Sequence, residues 1–369
     1  MRTTQRETNR RTRSASLFVF AGLTVTPISG HTAEVTEFLK GGQLGATVHY
    51  EGSQLTGGLE ESDIRFSERV ESRHDLTLSS EYAPGEGFVV RVAAELTPHW
   101  RMGFPGAPDM IFDPTTGGGT YLVGSPPATE ATHYASGLKG LWLGASFQPP
   151  SNAPIDREQP TQWRLNVAGR APSPSSNVWS EVDGKRGASM GTTAVHLSAA
   201  ISSRRGVSDP YLLLAYDREL AGEFLLDNPS RDGDTIEATL QPPSTLTATT
   251  GLEWVLHEAP TTEARTALDL RVVTGYRSWG DMASGTYLPS VLPSSYAVPA
   301  TLEETVFGRA GLGLCIRTAG GVRVVSRMHA EWSPPHRVEH LYNVRTTADT
   351  YRLLWSLKVS HAFPVRSTD

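Results

Sequence analysis

Basic residues return in one phase through the C-terminal third of the chain: Arg271, Arg309, Arg323 and Arg327, then Arg352 and Lys358. Apolar residues occupy the opposite phase, so on extended backbone the charges of four successive segments share one face. If such faces enclose water, these six groups form a basic wall whose field concentrates small anionic solutes. Carboxylates recur in the same phase at Asp75, Glu81, Glu95, Glu253, Asp269 and Glu331. The competing chemistry is therefore ion pairing across the enclosed space, which plugs or stiffens it.

Reactive and metal-binding patterns are poorer. No Gly-x-Ser-x-Gly elbow occurs, and His196 and Ser198 share a face without a recognisable third partner. Glu60, Glu61 and Asp63 fall in a connection and read as solvated. His329, His336, His340 and Glu339 have the residue types of a zinc set, but Pro334-Pro335 interrupts any helix that would align them. Asp227, Asp232 and Asp234 do not complete a calcium loop. Gly117 to Gly119 lack the lysine and the strand-turn-helix context of a phosphate loop. The expectation is no catalytic residue, no metal and no cofactor.

The elements that must carry the charged faces are strands. In 350–364, Tyr351, Leu353, Trp355, Leu357, Val359, His361 and Phe363 oppose Arg352, Ser356, Lys358 and Ser360. Val322, Val324, Met328 and Trp332 oppose Arg323, Arg327, His329 and Glu331, and Leu312, Leu314 and Ile316 oppose Arg309, Cys315 and Arg317. Thr266, Leu268, Leu270, Val272 and Tyr276 oppose Asp269, Arg271 and Arg277; Leu246, Leu252, Trp254 and Leu256 oppose Thr247, Thr249, Glu253 and His257. Earlier segments set Trp163, Leu165 and Val167 against Arg164, Asn166 and Arg170, Phe88, Val90 and Val92 against Arg91 and Glu95, and Leu76, Leu78 and Tyr82 against Asp75, Thr77, Ser79 and Glu81. Weaker members are 44–51, 138–147, 194–201 and 211–218, the last being apolar on both faces. The total is about twelve strands of two-residue period.

Connections alternate in length. Tight ones fall at 84–86, 204–209, 258–262 and 318–321, with an intermediate one at 149–160; long ones fall at 55–70, 97–133, 171–190, 221–243, 279–301 and 333–347. Arg2, Arg6, Arg10, Arg11 and Arg13 precede the short apolar run 17–25, and small residues follow near Ser29, Gly30 and Ala33. Residues 1–33 therefore read as a secretory signal peptide, too short to span a bilayer. No later stretch approaches the roughly 18 apolar residues of a membrane helix. The net charge is −6, and loss of five arginines with the signal makes the remainder more acidic, which excludes general nucleic-acid binding. A single cysteine, Cys315, excludes an internal disulfide framework.

An exported chain of amphipathic strands with alternating short and long connections resembles the Gram-negative outer-membrane β-barrel proteins as a class. The tract 64–69, leading into Arg73, His74, Asp75 and Leu76, resembles uncharacterised deltaproteobacterial barrels. The resemblance implies an all-β fold, a transmembrane antiparallel up-and-down barrel over residues 43–369 behind a short periplasmic segment at 34–42. It implies outer-membrane lipid and the barrel-assembly machinery as partners, with Phe363 as the assembly-signal candidate, although Pro364 to Asp369 follow it where the class usually ends. Function is expected to be a narrow, porin-like passive channel for small solutes with an anion bias. The alternative is a structural barrel whose long loops bind partners in an envelope complex. A soluble β-sandwich would instead place the apolar faces inside.

Overall fold

The computed structural model describes residues 39–61, 64–103, 110–113, 118–121, 132–148, 161–173, 178–180, 185–187, 191–203, 205–227, 235–259, 262, 264–282, 300–340 and 343–364. The expected signal peptide lies outside them. Twelve long strands carry the fold: β1 (Gln43–Glu61), β2 (Ile64–Gly85), β3 (Phe88–Gly103), β4 (Thr132–Phe147), β5 (Gln162–Pro172), β6 (Ala194–Ser202), β7 (Ser208–Glu219), β8 (Thr245–Ala259), β9 (Ala264–Arg277), β10 (Thr305–Arg317), β11 (Arg323–Ser333) and β12 (Thr350–Pro364). Each pairs antiparallel with the next. β12 then returns to β1, from Tyr351 opposite Thr56 to Pro364 opposite Gln43. The sheet is closed, so among the described residues each of the twelve long strands has a neighbour on both sides.

Burial inverts the order of a soluble protein. Leu143 is 63 % exposed and Leu312 56 %, whereas Glu95 and Lys139 are each 1 % exposed and Asp269 has no exposed surface. The apolar phase of every strand faces out and the charged phase faces in. Such a continuous apolar exterior is stable only against hydrocarbon, so the fold is a transmembrane β-barrel and not a soluble sandwich. Aromatic side chains mark both borders of the apolar band. Tyr82, Phe88, Phe147, Trp163, Trp254 and Phe363 ring the short-turn end, and Tyr276, Trp332 and Tyr351 the long-loop end. On β12, Tyr351 and Phe363 are about 40 Å apart along the strand at ~3.3 Å per residue. A strand tilt of ~40° reduces that to ~30 Å across the membrane.

At one rim the connections are tight. Glu86-Gly87 joins β2 to β3 beyond the pair Gly85–Phe88, and Gly87 takes φ 75°, a left-handed conformation that a residue with a Cβ resists. Arg205 and Ser208 bridge the β6–β7 turn around Gly206, at φ 61°. At the opposite rim the connections are long but sheeted. Short hairpins lie at Met110–Asp113 with Gly118–Tyr121, Val178–Ser180 with Lys185–Gly187, Gly222–Asp227 with Thr235–Leu240, Gly280–Met282 with Ala300–Leu302, and Arg337–His340 with Asn343–Thr347.

Two readings of the sequence are corrected. The 55–70 connection is not a loop, because β1 and β2 stay paired up to Glu61 opposite Ile64. Beyond the apolar band the outward phase of these strands turns polar, at Gln54, Thr56 and Glu68, so the hydrophobic alternation that reveals a strand disappears while the hydrogen-bond ladder continues. His257 does not share the inner phase of Glu253. A bulge between Val255 and His257 shifts the register and leaves His257 opposite Thr266 on the exposed face, as an extra residue in one strand must. The both-ways apolar segment of β7 is also resolved: Tyr211 and Leu213 are buried inside while Leu212 and Leu214 are exposed outside.

Candidate functional site

The candidate site is the barrel interior, because it is there that the strands gather the charged phase. Several contacts leap an intervening strand, which only the concave side of a closed sheet permits. Arg170 on β5 lies 3.8 Å from Glu95 on β3 and 2.7 Å from Glu219 on β7. Arg352 on β12 lies 3.9 Å from Glu71 on β2. Tyr211 on β7 donates to Asp269 on β9 at 2.8 Å, and Arg327 on β11 donates to the same carboxylate at 2.9 Å.

Towards the long-loop rim the charges are matched. Lys139 lies 2.5 Å from Glu95, and the Trp142 indole donates to that carboxylate at 3.0 Å. Thr192 donates to Glu219 at 2.9 Å. Arg73 lies 2.6 Å from Asp75, which also accepts from Thr97 at 2.7 Å. Glu71 accepts from Arg69 at 2.8 Å and from Trp100 at 3.0 Å, and Arg309 donates twice to Glu331, at 2.9 and 2.6 Å. Among the described residues, the inward-facing groups of this half set Arg69, Arg73, Lys139, Arg170, Arg277, Arg309 and Arg352 against Glu51, Glu71, Asp75, Glu95, Asp217, Glu219 and Glu331, seven against seven.

The short-turn half is different. Asp269 binds Arg271 and Arg327, and Arg265 is shared between Asp209 and Glu253, the latter at 2.8 Å. Arg91 lies 3.5 Å from Glu81 and donates to Ser79 at 3.1 Å. Arg164 donates at 2.8 Å to both Asn166 and Ser146, and Asn166 donates to Ser198 at 2.9 Å. Arg91 and Arg323 lie within electrostatic reach of Arg164, and Lys358 is buried on β12. Here, among the described residues, Arg91, Arg164, Arg265, Arg271, Arg317, Arg323, Arg327 and Lys358 face Glu81, Asp209, Glu253, Glu258 and Asp269, eight against five.

Glycines on the inner phase make room for this packing. A Cβ on Gly251 would sit 2.3 Å from the Tyr211 ring, and one on Gly275 2.2 Å from the Phe307 ring. The guanidinium groups of Arg277 and Arg309 lie 5.9 and 5.8 Å from that Phe307 ring, in cation–π range.

All six residues of the expected basic wall face inward, on β9 to β12. Arg271, Arg309, Arg327 and Arg352 lie beside carboxylates, while Arg323 and Lys358 belong to the basic half. Arg91 and Arg164 join them there, and the sequence pattern did not link them to that set. The available signal was distance from the tight turn: Arg91, Arg164 and Arg323 each lie within the first few residues of a rising strand. Phe363 faces outward, opposite Leu44. Histidine 196 pairs with Asp217 at 2.6 Å, but the Ser198 hydroxyl accepts from Asn166 instead. His329 is on β11, whereas His336 packs above the rim against Thr347, so the two do not share a face. Burial, with Arg69 and Arg277 nearby, holds the His336 imidazole well below its usual range. Asp232 and Asp234 lie outside the described residues.

No family model and no curated protein matches the chain. Among solved structures it is similar to an outer membrane channel from Pseudomonas putida F1 (15 % identity, 89 % of this chain and 97 % of that chain, TM-score 0.47). It is also similar to a Pseudomonas aeruginosa FadL homologue (9 %, 88 % and 90 %, 0.39) and to the outer membrane protease OmpT from Escherichia coli (7 %, 89 % and 99 %, 0.34). The likeness of the 64–76 tract to deltaproteobacterial barrels has no support among them. The chain is a closed transmembrane β-barrel of twelve long strands, with the apolar exterior, charged interior and one-sided long connections that barrels of the bacterial outer membrane share.

Proposed function

We propose that the barrel is a narrow passive channel for small solutes, with an anion bias seated in its short-turn half. The observation that carries the reading is the axial charge asymmetry, balanced at one end and basic by three at the other. A solute crossing the paired half meets neutralised clusters that narrow the path. Beyond them it enters a basic vestibule whose low-dielectric walls focus the field. The excess of cations around Arg164, Arg323 and Lys358 supplies the bias, and Arg271 and Arg327 line the same vestibule with Asp269 between them. Arg309 and Arg352 act through their carboxylate partners as the walls of the constriction. Glycine-backed rings and ion pairs perform no bond chemistry in this reading, and the protein is not an enzyme. The test is reversal potential in planar bilayers under a potassium chloride gradient. Chloride preference that falls about twofold in the double variant R164Q/R323Q supports the reading, and folded protein that conducts no ions removes it.

A second reading, a structural barrel that engages envelope partners through its long connections, is favoured by one observation. Leu225 and Leu226 of one long connection pair in parallel with Val178 and Trp179 of another, and Lys185 to Gly187 pair in parallel with Tyr134 to Ser136 of β4. The connections thus build a joint sheeted surface. Deleting 222–240 and finding conductance unchanged but a native complex lost would favour it over the channel.

A further inference from the structure

Outward positions on the wall are mostly aliphatic or aromatic, but two imidazoles face out on β2 and β3 near the long-loop rim. His74 and His99 are register partners, with ring centroids 5.7 Å apart. The Tyr50 hydroxyl lies 2.5 Å from His74 Nδ1, and Trp355 stands edge-on to His74 at 6.2 Å. Trp355 lies over Gly52, where a Cβ would sit 2.3 Å from the indole. Above them Arg101 is exposed, opposite Ser72.

Polar groups on the outer wall are costly at the bilayer midplane and nearly neutral at its borders. At the long-loop border, which faces the outside in barrels of this class, they meet lipid headgroups. When the Tyr50 hydroxyl donates to Nδ1, a neutral His74 keeps its proton on Nε2, so Nε2–H remains a donor. Arg101 adds a permanent cation, and the Trp355 ring offers an apolar face beside them. Donors, a cation and a flat apolar plate side by side match a phosphate attached to a sugar.

We propose that Tyr50, His74, His99, Arg101 and Trp355 form a binding patch for the phosphorylated sugar headgroup of an outer-leaflet glycolipid. His74, His99 and Arg101 hold the phosphate, and Trp355 packs against the sugar. The site lies on the outer wall and stands whether or not the interior conducts.

The test uses the full-length folded barrel in nanodiscs, titrated with bisphosphorylated lipid A, with dephosphorylated lipid A and with phosphatidylglycerol, bound lipid being counted by native mass spectrometry. Bisphosphorylated lipid A is expected to bind about tenfold more tightly than either comparator, the loss expected of one charge-assisted hydrogen bond. The variant H74Q/H99Q, which keeps size and polarity, is expected to lose most of that preference, and R101Q the remainder. Equal binding of the two lipid A forms, equal binding of phosphatidylglycerol, or an unchanged preference in folded H74Q/H99Q would each overturn the proposal. The first two comparisons need no variant, so a folding failure leaves the test intact.

Discussion

Replacing Asp269 with asparagine tests whether the middle of the barrel is packed or merely lined. Asp269 has no exposed surface and serves Arg271, Arg327 and the Tyr211 hydroxyl together, with the two guanidinium groups themselves only 7 % and 2 % exposed. Asparagine keeps the size and one acceptor but removes the negative charge. Two cations then remain in a low-dielectric site without their counter-charge, a situation that costs about 3–5 kcal/mol when a buried pair is broken. A water-filled lumen would screen the same change to below about 1 kcal/mol, as at an exposed ion pair. The assay is equilibrium unfolding of the barrel from lipid vesicles in guanidinium chloride, followed by tryptophan fluorescence. With a slope of about 3–4 kcal/mol per molar denaturant, D269N should lower the midpoint by about 1 M. Adding R271Q should return at least half of the loss, because the two sites share one network. A D269N midpoint within about 0.2 M of the parent would refute the packed interior and imply a wide, hydrated pore.

Other consequences are directly measurable. Gly275→Leu must displace the Phe307 ring, from which a Cβ at this position would be 2.2 Å away, and should cost about 1–3 kcal/mol; G275L/F307A should recover heat-modifiable gel migration. Because burial holds His336 neutral, an opened segment binds a proton below the ordinary histidine range and the closed one does not. Protection of 334–340 and 343–347 from hydrogen exchange is therefore full above about pH 6.5 and weakens by up to ~1.4 kcal/mol per unit below it, and His336→Gln should flatten that profile. Phe363→Ala should slow assembly in cells, measured as the fraction of heat-modifiable barrel soon after synthesis, with little effect on the stability of molecules already folded. If assembly is unchanged, Phe363 is an ordinary residue of the lower aromatic ring.

Much of the fold is legible in residue order because the membrane enforces it. A strand with lipid on one side and the interior on the other must alternate, and β9 to β12 alternate from end to end, with Leu268, Leu312, Met328 and Leu353 out and Asp269, Cys315, Arg327 and Arg352 in. Where that constraint ends, so does the signal. Beyond the apolar band β1 and β2 stay paired to Glu61 and Ile64 while their outward phase turns polar, at Gln54, Thr56 and Glu68, so no apolar alternation records the extension. The bulge at His257 was invisible because a single inserted residue inverts the phase without changing composition.

Closure, strand number and the orientation of each face follow from the sequence alone, since lipid on one side and tight turns at one rim leave a two-residue repeat few other arrangements. Charge pairing does not. Arg327 and Asp269 are 58 positions apart in sequence, and Arg170 meets Glu95 and Glu219 from a strand between theirs; only the curvature of a closed sheet brings such groups within reach. Curvature also divides the interior into a neutralised half and a basic half, because it sets Arg91 and Arg164 facing Arg323, and no local pattern records which side chains meet across a barrel.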